Sequence, residues 1–120
     1  MARITNIRAE EIRDSRGNPT VEAFVAVGDI ERSFAVPSGA STGSAEAHEL
    51  RDADGGMSQA IERVAQEIAP LLIGMEAGNQ REIDEHLMRL DGTAQKTRLG
   101  GNAMIGVSVA CAKAAAAARG

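Results

Sequence analysis

The hydrophobic positions of the chain change character near residue 57. Before it they come in short β-forming runs, and after it they recur at helical spacing. Residues 20–27, Thr-Val-Glu-Ala-Phe-Val-Ala-Val, are rich in strand formers. The turn pair Gly28-Asp29 leads into a second run at 31–36. Two strands joined by a tight turn make a hairpin. Residues 4–12 form a third candidate strand, closed by the turn residues Ser15-Arg16-Gly17-Asn18-Pro19. Pro37 ends the meander, having no N–H to give to a ladder. Met57, Ile61, Val64, Ala65, Ile68, Leu71 and Leu72 then share one helical stripe, which Gly74 and Gly78 close. Ile83, Leu87 and Leu90 mark a second helix, with Asn79 as its N-cap and Asp91-Gly92 as its stop. The third helix, 102–119, is apolar or small nearly all round, the pattern of a helix buried on several sides. Strands first and helices after predict an α+β domain, not alternating β-α units.

Composition narrows the functions available to such a domain. The 120 residues amount to about one domain. With 43% hydrophobic and 25% charged residues the chain reads as a folded globule, not a disordered tail. A net charge of −4 gives no broad electrostatic footprint for nucleic acid or an anionic membrane. Phe24 and Phe34 are the only aromatic rings, so stacking platforms for bases or sugars are excluded. Cys111 is the single cysteine and cannot form an internal disulfide, which favours a reducing compartment and a cytoplasmic protein. Met1 to Asn6 contain no apolar run of the kind a secretory signal needs. The apolar helix 102–119 invites a membrane reading, but Lys113 and the excess of Ala over Leu and Ile oppose a span.

Local motifs add little by themselves. Gly39-Ala40-Ser41-Thr42-Gly43-Ser44 has the small-residue look of a phosphate loop. It lacks the lysine of a Walker A loop and the strand-turn-helix glycine spacing of a dinucleotide site. The plain reading is a mobile surface loop with free hydroxyls and amides. Asp52-Ala53-Asp54-Gly55-Gly56 begins like a calcium loop, but Met57 stands where glycine is required and Arg63 where glutamate is required. Asn18-Pro19-Thr20 cannot be glycosylated because of its central proline. His48 and His86 stand without a second ligand at metal spacing, and Cys111 has no histidine nearby in sequence. No triad, zinc signature or paired carboxylates emerge.

Three longer segments carry more. Asp14-Ser15-Arg16-Gly17-Asn18-Pro19-Thr20-Val21-Glu22 closely resembles the opening motif of the enolase family. Ala35-Val36-Pro37, followed by Ser38, Gly39, Ala40, Ser41, Thr42 and Gly43, resembles that family's mobile active-site loop. Leu90-Asp91-Gly92-Thr93, Lys96, Leu99-Gly100 and the run from Asn102 to Ala110 resemble its third signature. The three occur in family order and cover nearly the whole chain.

The resemblance implies that residues 1–120 are an N-terminal capping domain, a three-stranded antiparallel meander followed by a helical bundle. A catalytic (α/β)-barrel of roughly 250 residues, absent from these residues, would follow it. That barrel supplies the catalytic base and acid and the ligands of the first metal, so no catalytic residue maps onto this segment. Ser41 maps to the loop serine that ligates a second Mg²⁺, and Ser38, Gly39, Ala40, Thr42 and Gly43 map to the rest of the loop. The implied reaction is the Mg²⁺-dependent, reversible dehydration of 2-phosphoglycerate to phosphoenolpyruvate in glycolysis, by a homo-oligomer. Helix 102–119 is expected to pack on the following domain, being apolar on more sides than the other helices can cover.

The chain also departs from the family pattern. Only Gly55-Gly56 follows Asp54 where enolases carry a longer stretch with an aromatic residue and a Gly-Lys-Gly element. Glu10 replaces an arginine that often bridges to a partner subunit, and Arg13 replaces an apolar residue. Two alternatives stand beside the first reading. One is a related enzyme acting on another phosphorylated or phosphonylated three-carbon acid, as in carboxyphosphonoenolpyruvate synthase. The other is a stand-alone binding domain without chemistry.

Overall fold

A computed structural model describes residues 2–37, 50–92 and 99–120 of the chain. Strands β1 (Asn6–Arg13), β2 (Pro19–Val27) and β3 (Ile30–Ala35) form one antiparallel sheet in the order β1-β2-β3. Ala23 lies at its centre, opposite Ala9 on one side and Phe34 on the other. The β1–β2 connection is held by Asp14, whose Oδ1 accepts the N–H groups of Arg16 and Asn18, both at 2.9 Å. Gly17 takes a φ of 82° there, which side chains with a Cβ avoid. The meander predicted from the strand-forming runs is therefore present.

One end of the first strand differs from expectation. Thr5 still donates its N–H to the Ala26 carbonyl of β2 at 2.9 Å, but residues 2–4 pair with the loop after the first helical segment. The Ile4 N–H donates to the Met75 carbonyl at 2.9 Å, and the Gly74 N–H to the Ile4 carbonyl at 2.8 Å. Arg3 forms an isolated bridge with Glu76, whose carboxylate also accepts the Ala2 N–H. Ile4 is buried by this pairing, so its apolar side chain serves the core from outside the strand.

The sheet has unlike faces. Val21, Ala23, Val25 and Val27 of β2 are buried against the helices, while Glu22, Phe24 and Ala26 between them are half-buried on the other face. On that outer face Glu10 stands directly opposite Glu22, an unfavourable like-charge pair. Arg8 offsets it by bonding Glu10, reaching Glu31 at 3.4 Å and lying 3.9 Å over the Phe24 ring. The Ser33 hydroxyl donates to Glu22 at 2.7 Å.

The predicted helix 57–72 is a continuous helical path with a change of pitch. α1 (Ser58–Arg63) passes through a π-helical turn, Val64–Ile68, into α2 (Ala69–Leu72). Pro70 supplies the reason. It has no N–H to return to the Gln66 carbonyl, and the ladder widens just before it, with the Ala69 N–H reaching back five residues to Val64. α3 (Gln80–Asp91) ends at Gly92 in the left-handed conformation, as its sequence predicts. Asn79 does not cap α3 with its side chain; its amide donates to the Glu82 carboxylate at 2.7 Å instead.

α4 (Gly101–Arg119) lies across β2 and β3, and α3 packs beside it. By length and composition alone α4 could cross a membrane, but 56% of its apolar stretch is buried inside the fold. The sheet covers its inner side. Ala112, Lys113 and Ala116 stay exposed on the outer side, and Lys113 donates to the Ser33 carbonyl at 2.8 Å.

Small residues set the distance between helix and sheet. A Cβ on Gly106 would stand 3.2 Å from both the Ala23 Cβ and the Val36 Cγ2. Replacing Gly106 with Leu should therefore destabilise the fold by about 1–3 kcal/mol through overpacking. Denaturant unfolding measures this directly, and an unchanged midpoint would show that the helix–sheet contact is not close-packed there.

Candidate functional site

The loop singled out from the sequence lies between β3 and α1 in the chain. At the exit, the buried Val36 continues the ladder by donating its N–H to the Val21 carbonyl at 2.9 Å. The Val36 carbonyl accepts the hydroxyl of Thr20, itself only 2% exposed. At the return, Leu50 is gripped by the fully buried Asn102. The Asn102 Oδ1 accepts the Leu50 N–H at 3.0 Å, and its Nδ2 donates to the Leu50 carbonyl at 3.1 Å. Residues 38–49 lie outside the described residues, and with them Ser38, Gly39, Ala40, Ser41, Thr42, Gly43 and His48. Residues 93–98, with Thr93 and Lys96, lie outside them too.

Beside the return point is a cavity of about 370 Å³ lined by Glu11, Arg13, Pro19, Asp52, Asp54, Gly56 and Ser58. Its three carboxylates are occupied by the chain itself. Asp52 accepts the N–H groups of Ser58 and Gln59, each at 3.0 Å, together with the Ser58 hydroxyl. It thus caps α1 from six residues upstream of Ser58. Glu11 accepts the Met57 N–H at 2.8 Å, and Asp54 the Gly56 N–H at 2.9 Å. Arg51 spans the same region, donating from Nη1 to the Pro19 and Gly55 carbonyls, both at 2.9 Å. The Ser58 hydroxyl, then the Gln59 N–H, hold the Asp52 carboxyl below the usual carboxylate range. These acids hold the main chain at the start of α1. Among the described residues no group of three or more His, Cys, Asp or Glu could hold a metal. The expected Mg²⁺ ligand Ser41 lies outside the described residues.

The isolated candidates are structural. His86 is half-buried and donates from Nδ1 to the Glu82 carbonyl at 2.8 Å, one turn back on α3. Burial, and then the negative charge of Asp84, push the Cys111 thiol up to about 12, so it is not a thiolate at neutral pH. Sequence reasoning missed Asp52 as a cap because its spacing from the helix is longer than an N-cap allows. It missed Thr20 and Asn102 because their bonds span 16 and 52 positions of chain.

A model of the family described as "Enolase, N-terminal domain" matches residues 4–120. The chain belongs to the enolase family. It is 55% identical over 121 residues to a protein named Enolase from Mycobacterium leprae (strain TN), covering 94% of this chain. A second Enolase, from Corynebacterium kroppenstedtii, is 52% identical over 122 residues and covers 97% of the chain. This enolase N-terminal segment spans 28% and 29% of the length of those two relatives. Its motifs fall where the fold needs them: Asp14 to Thr20 make the β1–β2 turn, and the third signature carries Asn102 to the loop's return point.

The capping role of Asp52 gives a pH test with a definite sign. Its carboxyl lies below 3.8 in the folded state, so the stability it contributes is complete above 3.8 and is lost as pH falls through the lower folded value. Asp52→Ala should therefore melt below the wild type at neutral pH, and the gap should close on acidification below about 4. A gap that persists unchanged far into acid would mean that the charge of Asp52 does not support α1.

Proposed function

We propose that this chain is the capping domain of a carbon–oxygen lyase, phosphopyruvate hydratase. The full-length enzyme interconverts 2-phosphoglycerate and phosphoenolpyruvate in glycolysis, and residues 38–43 supply its active-site loop. The observation that carries the reading is the identity of 55% to a named Enolase across 94% of the chain, with the loop motif inside the matched segment. The barrel that would follow contributes the base, the acid and the first metal's ligands. Mg²⁺, when bound, offsets the charge that builds up as a proton leaves carbon beside a carboxylate. This chain's part is positional. Ser41 presents a hydroxyl, the hard oxygen that Mg²⁺ prefers, on a stretch of small residues that can approach a charged substrate closely and exclude water.

The full-length protein is read as a cytoplasmic homo-oligomer, supported by its single buried cysteine and by the family resemblance. Glu10 stands where the resemblance places a subunit-bridging arginine, and here it is bonded to Arg8 of its own strand. The 120 residues alone are expected to show no dehydration of 2-phosphoglycerate.

Ser41→Ala in the full-length protein tests the reading. Turnover should fall by about 10²–10³-fold, the usual cost of losing a group that acts on developing charge. The Mg²⁺ concentration for half activity should rise, and the melting temperature should hold. Full turnover at limiting Mg²⁺ would remove residues 38–43 from the active site. Turnover of a phosphonate analogue in place of 2-phosphoglycerate would move the assignment to the related enzyme.

A further inference from the structure

Lys113 stands on the exposed side of α4, yet its ammonium reaches the sheet and donates to the Ser33 carbonyl at 2.8 Å, 80 positions away in the chain. The place it reaches is the border of the sheet. β3 has β2 on one side, and among the described residues no strand pairs with its other side.

The phase of the ladder shows which groups β3 turns outward. The Val36 N–H donates to the Val21 carbonyl, so position 36 bonds inward to β2. Bonded and non-bonded pairs alternate along an antiparallel ladder, which makes Phe34, Arg32 and Ile30 the other inward-bonding residues. Glu31, Ser33 and Ala35 therefore point their N–H and C=O groups away from β2. Glu31 and Ala35 are exposed and Ser33 is half-buried. A row of outward main-chain groups is a template for a further strand, and a lysine on the edge is one way of blunting it. The Lys113 ammonium sits on the middle carbonyl of this row.

The strand present at the protein's own concentration is β3 of a second copy. Antiparallel pairing of two such edges can set Ser33 opposite its copy, Arg32 opposite the copy's Phe34 and Glu31 opposite the copy's Ala35. No like charges oppose one another in this register, and arginine beside a ring is favourable. The backbone thus offers a self-complementary edge. Lys113 opposes its use in two ways. The two-fold axis of the pairing passes through Ser33, so it would bring both Lys113 ammonium groups to one place. The carbonyl that each lysine holds is also the one that the copy's Ser33 N–H needs.

We infer that Lys113 closes the free edge of β3 to strand addition, and that the partner it excludes is a second copy of this chain. The inference is independent of the reaction proposed above.

The test is the assembly state of the full-length protein, read by sedimentation velocity over a range of concentrations. Lys113→Ala keeps a good helix former at an exposed position, so the melting temperature should hold. This variant should associate beyond the wild-type state at a concentration about tenfold lower than the wild type needs, or less. Its Glu31, Ser33 and Ala35 amides should become slower to exchange as it associates. Lys113→Arg keeps a cation within reach of the carbonyl and should behave as wild type. Arg119→Ala removes the same charge from the last turn of α4, beside Gly78, and should also behave as wild type. Adding Ser33→Pro to Lys113→Ala removes one outward N–H without costing β2 a bond, and should restore the wild-type assembly. The inference is overturned if Lys113→Ala assembles as wild type does, or if Arg119→Ala associates equally, which would make net charge the cause. Association that survives Ser33→Pro, or that leaves the three edge amides unprotected, overturns it as well. Should Lys113→Ala fail to fold, Lys113→Gln takes its place under the same criteria.

Discussion

The fold depends on how closely α4 can approach the sheet. Gly106 has no side chain between the helix and Ala23, and Val107, Ala110, Cys111, Ala114 and Ala115 fill the remaining interface with small volumes. Each such group buries little, about 0.8 kcal/mol per methyl-sized unit. What the small residues gain is proximity, and proximity multiplies weak dispersion contacts along 19 residues of helix. A helix of Leu and Ile would stand farther from the strands. Val36 and Leu50 would then lose the helix face that now meets both of them.

Polar groups are distributed to match that packing. On the outer face of the sheet the charges are solvated and balanced locally, with Arg8 bridging Glu10 and Glu31 over Phe24. Such exposed pairs contribute little net stability. The carboxylates around the start of α1 do more specific work, since Asp52, Glu11 and Asp54 accept main-chain N–H groups that no helix or strand satisfies. The polar side chains buried among the described residues, Thr20, Asp91 and Asn102, each bond main chain.

Much of this was legible in the sequence where one element could be read by itself. The strand-forming runs around Val21 and Phe34, the stripe from Met57 to Leu72 and the glycine stop after Asp91 each carry their signal within a few residues, and each element formed. What escaped the sequence is non-local or competitive. The π-helical turn follows from one missing N–H at Pro70, which a hydrophobic stripe does not register. Asn79 makes no side-chain cap; its amide nitrogen donates to the Glu82 side chain three residues on. The pairing of residues 2–4 with 74–77 and the grip of Asn102 on Leu50 join positions far apart in the chain. The candidate loop was legible only through its family resemblance, because small residues with hydroxyls fit a plain surface loop equally well. Nothing in its composition distinguishes the two.

Native-state hydrogen exchange, followed amide by amide, tests most directly whether the α4–sheet contact governs the fold. Amides in the middle of α4, from Gly106 to Ala115, and in β2 from Val21 to Val25 should be the slowest in the chain. They should open together, at the free energy of global unfolding. Amides of α3 that outlast those of α4, or an α4 that opens alone while the sheet stays protected, would contradict it.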